Sequence, residues 1–167
     1  LTLGWYFNQV VVLPNSLTHL IVDRFFDENT LLPNSLIYLT FRDYFNKVMI
    51  LPNSLTHLTV GYYFNQNILL PNSLTHLILR CRDLNIVEFP ESLMSIRVYY
   101  PKNEMIENLS NGIKELIITN YKFNFQLENL PNSIEHIEIF NQNYEKEWIV
   151  YPISLKSLTI GRSVIKL

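Results

Sequence analysis

Leu13-Pro14-Asn15-Ser16-Leu17-Thr18-His19-Leu20 recurs letter for letter as Leu51–Leu58 and Leu70–Leu77, and in looser form at Leu32–Leu39 and Leu130–Ile137. Working outward from this phrase, the prolines fall at Pro14, Pro33, Pro52, Pro71 and Pro90, four equal steps of nineteen residues. The rhythm then stretches through Ser110 to Pro131 and Pro152. A fixed period of about twenty residues marks a solenoid, in which each turn buries its apolar face against its neighbours. About eight turns fill the 167 residues as one elongated repeat domain. Leu1-Thr2-Leu3-Gly4 matches Leu58-Thr59-Val60-Gly61, so the chain begins inside a repeat and is expected to be a fragment of a longer one.

Each turn runs from its corner into Leu-x-x-Leu-x-apolar, as in Leu17, Leu20, Val22 and Leu36, Leu39, Phe41, and as far as Leu155, Leu158, Ile160. The last two apolar positions lie two apart, the period of a strand, so they share a face and the residue between them points away. Because the chain circulates in one direction, the strands of successive turns run parallel. Stacked about 4.8 Å apart, eight of them make a rod on the order of 40 Å long. The dozen remaining residues of each turn leave no room for a helix of ordinary length, and they are rich in Tyr, Phe, Val and Asn. The expectation is a mainly β, leucine-rich-repeat-like, right-handed solenoid with one parallel sheet of short strands, 19–21 residues per turn and little or no helix.

Proline suits the entry corner because it fixes φ and needs no donor there. Asn15, Asn34, Asn53, Asn72 and Asn132 are expected to hold that corner by side-chain bonds to nearby backbone. A second recurrent pair, Phe7-Asn8, Phe26-Asp27, Phe45-Asn46, Phe64-Asn65 and Phe123-Asn124, predicts a spine of rings inside the coil with a polar ladder beside it. Asp83 and Leu84 break this pattern in the middle of the chain. The lengthened turns place bulging loops at 102–108, 121–128 and 141–148.

Composition excludes several classes. A formal net charge of -2, with 17% charged residues, gives no polybasic footprint for nucleic acid. Cys81 is the single cysteine, so neither an intrachain disulfide nor a four-cysteine zinc site can form, and a reducing, cytoplasmic setting is expected. No apolar run approaches the roughly 20 residues of a membrane span, and the first residues lack the features of a signal peptide.

The combination of Phe-Asn with Pro-Asn-Ser-Leu resembles the FNIP-repeat family, a leucine-rich-repeat relative of social amoebae and of giant viruses that infect amoebae. Gly61-Tyr62-Tyr63-Phe64-Asn65-Gln66 followed by Leu70-Pro71-Asn72-Ser73-Leu74 carries the resemblance most closely. It implies a binding scaffold, placed in the host cytoplasm if viral. Viral members often set such repeats behind an F-box-like segment, which implies the substrate-recognition arm of a ubiquitin ligase adaptor. No F-box lies within these residues.

The outward strand positions form three columns. The first holds His19, Tyr38, His57, His76, Ser95, Glu115, His136 and Ser157; the second Thr2, Ile21, Thr40, Thr59, Ile78, Arg97, Ile117, Glu138 and Thr159; the third Gly4, Asp23, Arg42, Gly61, Arg80, Tyr99, Thr119, Phe140 and Gly161. Inward positions are uniformly apolar and these are mixed, so packing does not account for them. Arg80, Arg97, Tyr99, Glu115, His136, Glu138 and Phe140 are the expected partner-binding cluster, with Arg and Tyr as typical interface anchors. The bland alternative is a solvated sheet in which Glu115 pairs with His136.

All four histidines share the first column, and His57 and His76 would stand side by side, yet no third metal ligand is evident. Glu115 and Glu138 are the only nearby carboxylate pair, which is thin support for catalysis. No enzyme activity, metal or cofactor is expected. The stronger rival is a carbohydrate-binding or adhesive solenoid, with Trp5, Tyr62 and Tyr100 as a stacking column. End-to-end association of the fragment is expected at its uncapped turns.

Overall fold

The computed structural model describes residues 1–82 and 88–167. Asp83 and Leu84, where the phenylalanine pattern breaks, lie outside the described residues. The chain forms one nine-stranded sheet whose strands follow sequence order: β1 His19–Val22, β2 Tyr38–Phe41, β3 His57–Val60, β4 His76–Leu79, β5 Ser95–Val98, β6 Glu115–Ile118, β7 His136–Ile139, β8 Ser157–Ile160 and β9 Ser163–Ile165. β1 to β8 pair parallel, each with the next, and Thr2 adds an isolated parallel bridge to Ile21. Within every parallel strand the second and fourth residues are buried while the third stays half-exposed or, at Ile117, is itself buried. Period-2 alternation in four-residue windows is therefore what builds this sheet.

Two hydrogen-bonded turns per coil explain the recurring phrases. At the entry corner Leu17 N donates to Pro14 O at 3.0 Å, and the same bond closes the corner at Leu36, Leu55, Leu74, Leu93, Ile113, Ile134 and Leu155. Asparagine sits at the tip of this turn and faces solvent; among the described residues only Asn132 of the five bonds backbone, accepting from Ile153 N at 3.4 Å. The serine beside it does the work that the sequence suggested for asparagine. Ser35, Ser54, Ser73, Ser92 and Ser133 each donate Oγ to a carbonyl of the preceding turn, at Leu17, Leu36, Leu55, Leu74 and Ile113, over 2.7–2.8 Å. The hydroxyl is short enough to reach back 18 or 20 residues of sequence and satisfy an acceptor that would otherwise be stranded.

At the strand exit Phe26 N donates to Asp23 O and Phe45 N to Arg42 O, both at 3.0 Å, which swings each ring inward. Phe26, Phe45, Phe64 and Phe123 are 0–2% exposed and form the expected spine. Tyr144 continues it, stacked on Phe123 at 5.1 Å and donating its hydroxyl to Phe125 O at 3.0 Å. Burial pushes this phenol well above the ordinary tyrosine value. The polar ladder beside the spine is partial. Asn46 Oδ1 accepts from Asn65 N of the next turn at 3.0 Å, whereas Asp27 bonds Asn29 within its own loop.

Two further differences stand out. The lengthened turns do not simply bulge: they carry a short helix α1, Asn103–Glu107, and a 3₁₀ turn, Lys146–Trp148, and fold Ile106, Leu109, Leu127 and Ile149 into the core. Leu127 and Ile149 even pair, with Leu127 N donating to Trp148 O at 2.8 Å. The extra residues include apolar side chains that reach the core, so burying them outweighs leaving them in a loop. The second difference is β9, which returns antiparallel along β8 after Gly161, whose φ of 62° lies in the left-handed region that favours glycine. The sheet is thus not wholly parallel.

Candidate functional site

The predicted columns exist in the predicted register. His19, Tyr38, His57, His76, Ser95, Glu115, His136 and Ser157 are successive partners across β1 to β8, and the second column follows two residues later. The first half of column one is a pile of rings. His19 and Tyr38 stack at 4.2 Å, Tyr38 and His57 meet at 4.1 Å with their planes tilted by 30°, and His57 and His76 stack at 4.2 Å. Thr18, Thr56 and Thr75 each hydrogen-bond Nδ1 of the histidine that follows, over 2.8–2.9 Å, which fixes the rings on edge. Burial between its neighbours, reinforced by His76 and His19, holds His57 below the ordinary histidine value.

The seven expected partner-binding residues lie on or just past β4 to β7. The Arg80 guanidinium stands over the Tyr99 ring, 5.7 Å from its centroid, and Phe140 is 42% exposed. Glu115 and His136 are register partners, but each bonds a serine on its other side: Ser95 Oγ donates to Glu115 Oε2 at 2.5 Å, and His136 Nδ1 lies 2.7 Å from Ser157 Oγ. Arg97 and Glu138 flank Ile117 in the second column, and Ile117 is buried although it faces outward. The cluster therefore reads as basic and aromatic at the strand exits (Arg80, Tyr99, Phe140), acidic and imidazole at the entries (Glu115, His136), with Arg97 and Glu138 between them.

Column three departs from its expected exposure at Asp23, which is 4% exposed, accepts from Arg24 N at 2.7 Å and lies 3.6 Å from Arg42 Nη1. Gly61 is buried in the same column because its Cα runs against the preceding turn. Beside them a hollow of about 450 Å³ opens among Trp5, Thr40, Arg42, Tyr44 and Arg80. Among the described residues, no group of three His, Cys, Asp or Glu side chains is placed to hold a metal ion.

The aromatic column suggested for sugar stacking is not an open platform. Arg82 covers Tyr62 and Tyr100, at 5.4 and 4.7 Å from their centroids, and Trp5 meets Tyr44 edge-on at 4.6 Å with Arg24 above it. The rings at these turns serve each other and their arginines. A different surface was not anticipated from the sequence: Val12, Leu31, Ile50 and Leu69 are 85–94% exposed, each two residues before a corner proline. Their fixed place in the repeat was the available signal, hidden because apolar residues next to Leu13 and its equivalents read as core.

This register of short strands and corner turns defines a leucine-rich-repeat-like solenoid. The chain carries FNIP repeats: the family described as FNIP Repeat matches residues 7–44 and 47–81. Among solved structures the chain resembles CroV588 of the giant virus CroV, described as a novel circular LRR protein structure, with 33% identity and a TM-score of 0.70. The likeness covers 95% of this chain and 30% of that one, so the chain spans less than a third of its neighbour's length. Among curated proteins none matches. Among the described residues no helix is long and apolar enough to cross a membrane.

Proposed function

We propose that the chain is a non-catalytic protein-binding scaffold that recognises its partner with the outward columns of the sheet, centred on Arg80, Arg97, Tyr99, Glu115, His136, Glu138 and Phe140. The observation that carries this reading is the contrast within each strand. Inward positions are buried apolar residues in unbroken register, while the outward positions present Arg, Glu, His, Tyr and Phe on one continuous surface. Such a surface has a few anchors set in a tolerant frame, as repeat proteins use for binding. Within a longer chain the array acts as the substrate-recognition arm of an F-box-type ubiquitin ligase adaptor in the host cytoplasm, and by likeness to the circular neighbour its turns continue beyond this chain towards a closed ring.

The test is an affinity capture from host-cell lysate with the native chain and with Arg80→Glu, Arg97→Glu, Tyr99→Ala combined. A protein retained by the native chain and reduced at least about tenfold with the variant, a loss of roughly 1.4 kcal/mol or more, fits the reading. Equal retention by both, or capture of glycans alone, contradicts it. With the longer parent chain, co-purification of ubiquitin ligase scaffold subunits tests the adaptor role separately.

A further inference from the structure

The segments leading into the first four entry corners are extended and two-faced. Leu13, Met49 and Ile68 turn inward, whereas Val12, Leu31, Ile50 and Leu69 are 94, 85, 88 and 88% exposed. Val10 and Val48, two residues earlier on alternate turns, add 63 and 59%. These six side chains offer on the order of 600 Å² of apolar surface, at the upper end of the patches a monomer exposes and approaching the roughly 800 Å² that one partner contributes to a standard interface. Along the stripe a hollow of about 460 Å³ lies between the Val12 and Leu31 rungs, and one of about 520 Å³ between the Ile50 and Leu69 rungs. Glu88, at the equivalent place of the next turn, ends the stripe.

We propose that this stripe docks onto the same stripe of a second copy of the chain, antiparallel, about a two-fold axis passing between Leu31 and Ile50. Three features specify that occupant. No charged residue lines either hollow, so two copies meet without like-charge repulsion. The rim is made of carboxamides, with Asn15 and Asn34 at one hollow and Asn53 and Asn72 at the other, and each is both donor and acceptor, so the rim is complementary to itself. The four rungs share one nineteen-residue step. Reversed, the stripe therefore meets itself rung for rung: Val12 faces Leu69, Leu31 faces Ile50, and the first hollow of one copy lies over the second hollow of the other, as a self-complementary two-fold interface requires. This inference is independent of the sheet-face reading.

Sedimentation equilibrium tests it. The mass is expected to rise from 19.8 kDa towards twice that value. The range to cover is about 1 to about 200 µM. Leu31→Glu with Ile50→Glu should weaken association at least about 100-fold, since it buries four carboxylates in the dimer. Both side chains are exposed, so the variant keeps its fold, checked by a thermal transition that matches the native chain's at about 1 µM, where both are monomeric. Tyr121→Glu, outside the stripe, should associate like the native chain. Under mild oxidation, a mixture of Leu31→Cys and Ile50→Cys chains should cross-link mainly as the mixed pair. A native chain that stays monomeric, an association indifferent to the paired glutamates, or homologous disulfides exceeding the mixed one would each overturn the proposal. A stripe that instead captures a different protein while the chain stays monomeric overturns it as well.

Discussion

Phe45→Ala should cost about 4 kcal/mol, and the estimate follows from where the ring sits. Phe45 is 0% exposed, 4.4 Å from Phe41 and 6.3 Å from Phe64 by ring centroids, with Phe26 buried in the preceding turn. Removing a fully buried phenyl forfeits about 1.5–3 kcal/mol of transfer free energy. The ring leaves a void of roughly 100 Å³, which at about 24 cal/mol per Å³ adds about 2 kcal/mol if the turns relax only in part. The corners above and below are pinned by the Ser35, Ser54 and Ser73 bonds, so full collapse is opposed. In urea, with a slope of about 2 kcal/mol/M, the midpoint should fall by about 2 M. Phe25→Ala is the control: its ring neighbours the spine in sequence but is 39% exposed, and its loss should cost under about 1 kcal/mol. Because each turn rests only on its neighbours, the Phe45 variant should also unfold less cooperatively, the first turns separating from the rest. A cost below about 1 kcal/mol for Phe45→Ala, or one equal to that of Phe25→Ala, would refute the internal spine.

Other substitutions probe other parts of the account. Gly61→Ala should destabilise by about 1–3 kcal/mol in urea, because its Cβ would stand 2.2 Å from Arg42 O, a backbone atom with little room to yield; a neutral effect would mean that the turns are not so closely approached. Thr30→Val should stabilise by about 1 kcal/mol, since Thr30 Oγ1 is buried with no hydrogen-bond partner and valine keeps the shape; a loss of stability would reveal a bond at that hydroxyl. For His57 the folded pKa lies below the ordinary 6.5, chiefly through burial, so the unfolded chain binds the proton more readily. Its contribution is therefore intact above about pH 6.5 and lost as pH falls through the folded value. The urea midpoint should drop between about pH 7 and pH 5, and His57→Gln should lessen that drop, while an unchanged pH dependence would sink the assignment.

The repeat made the fold legible: a nineteen-residue step of proline with Leu-x-x-Leu-x-apolar fixes strand, register and the three columns, and the structure follows them residue for residue. What stayed hidden depends on relations between turns. That Ser35 and its equivalents, not the asparagines, reach back to the preceding carbonyl follows from how close successive corners lie. Tyr144 entering the spine was obscured by its tyrosine identity and by an enlarged turn, though Asn141-Gln142-Asn143-Tyr144 repeats the spacing of Asn120 to Phe123. The helix at Asn103–Glu107 and the return strand β9 break the repeat, so periodicity had no information about them. In the candidate site, columns were readable but contacts were not: Glu115 chose Ser95 over His136, and Asp23 sank beneath Arg42. The exposed stripe from Val12 to Leu69 shows the limit most clearly, because composition alone assigns an aliphatic residue to the core.

The claim that the outward columns are a protein-binding face is tested most directly by placing a photo-cross-linking phenylalanine at Tyr99, in the middle of the sheet, and in parallel at Tyr121, which is 72% exposed beyond the strand exits. Irradiated in host-cell lysate, the Tyr99 probe should join a discrete protein that the Tyr121 probe does not, and the product should vanish when Arg80→Glu is added. The same products from both positions, or none from Tyr99, would contradict the account.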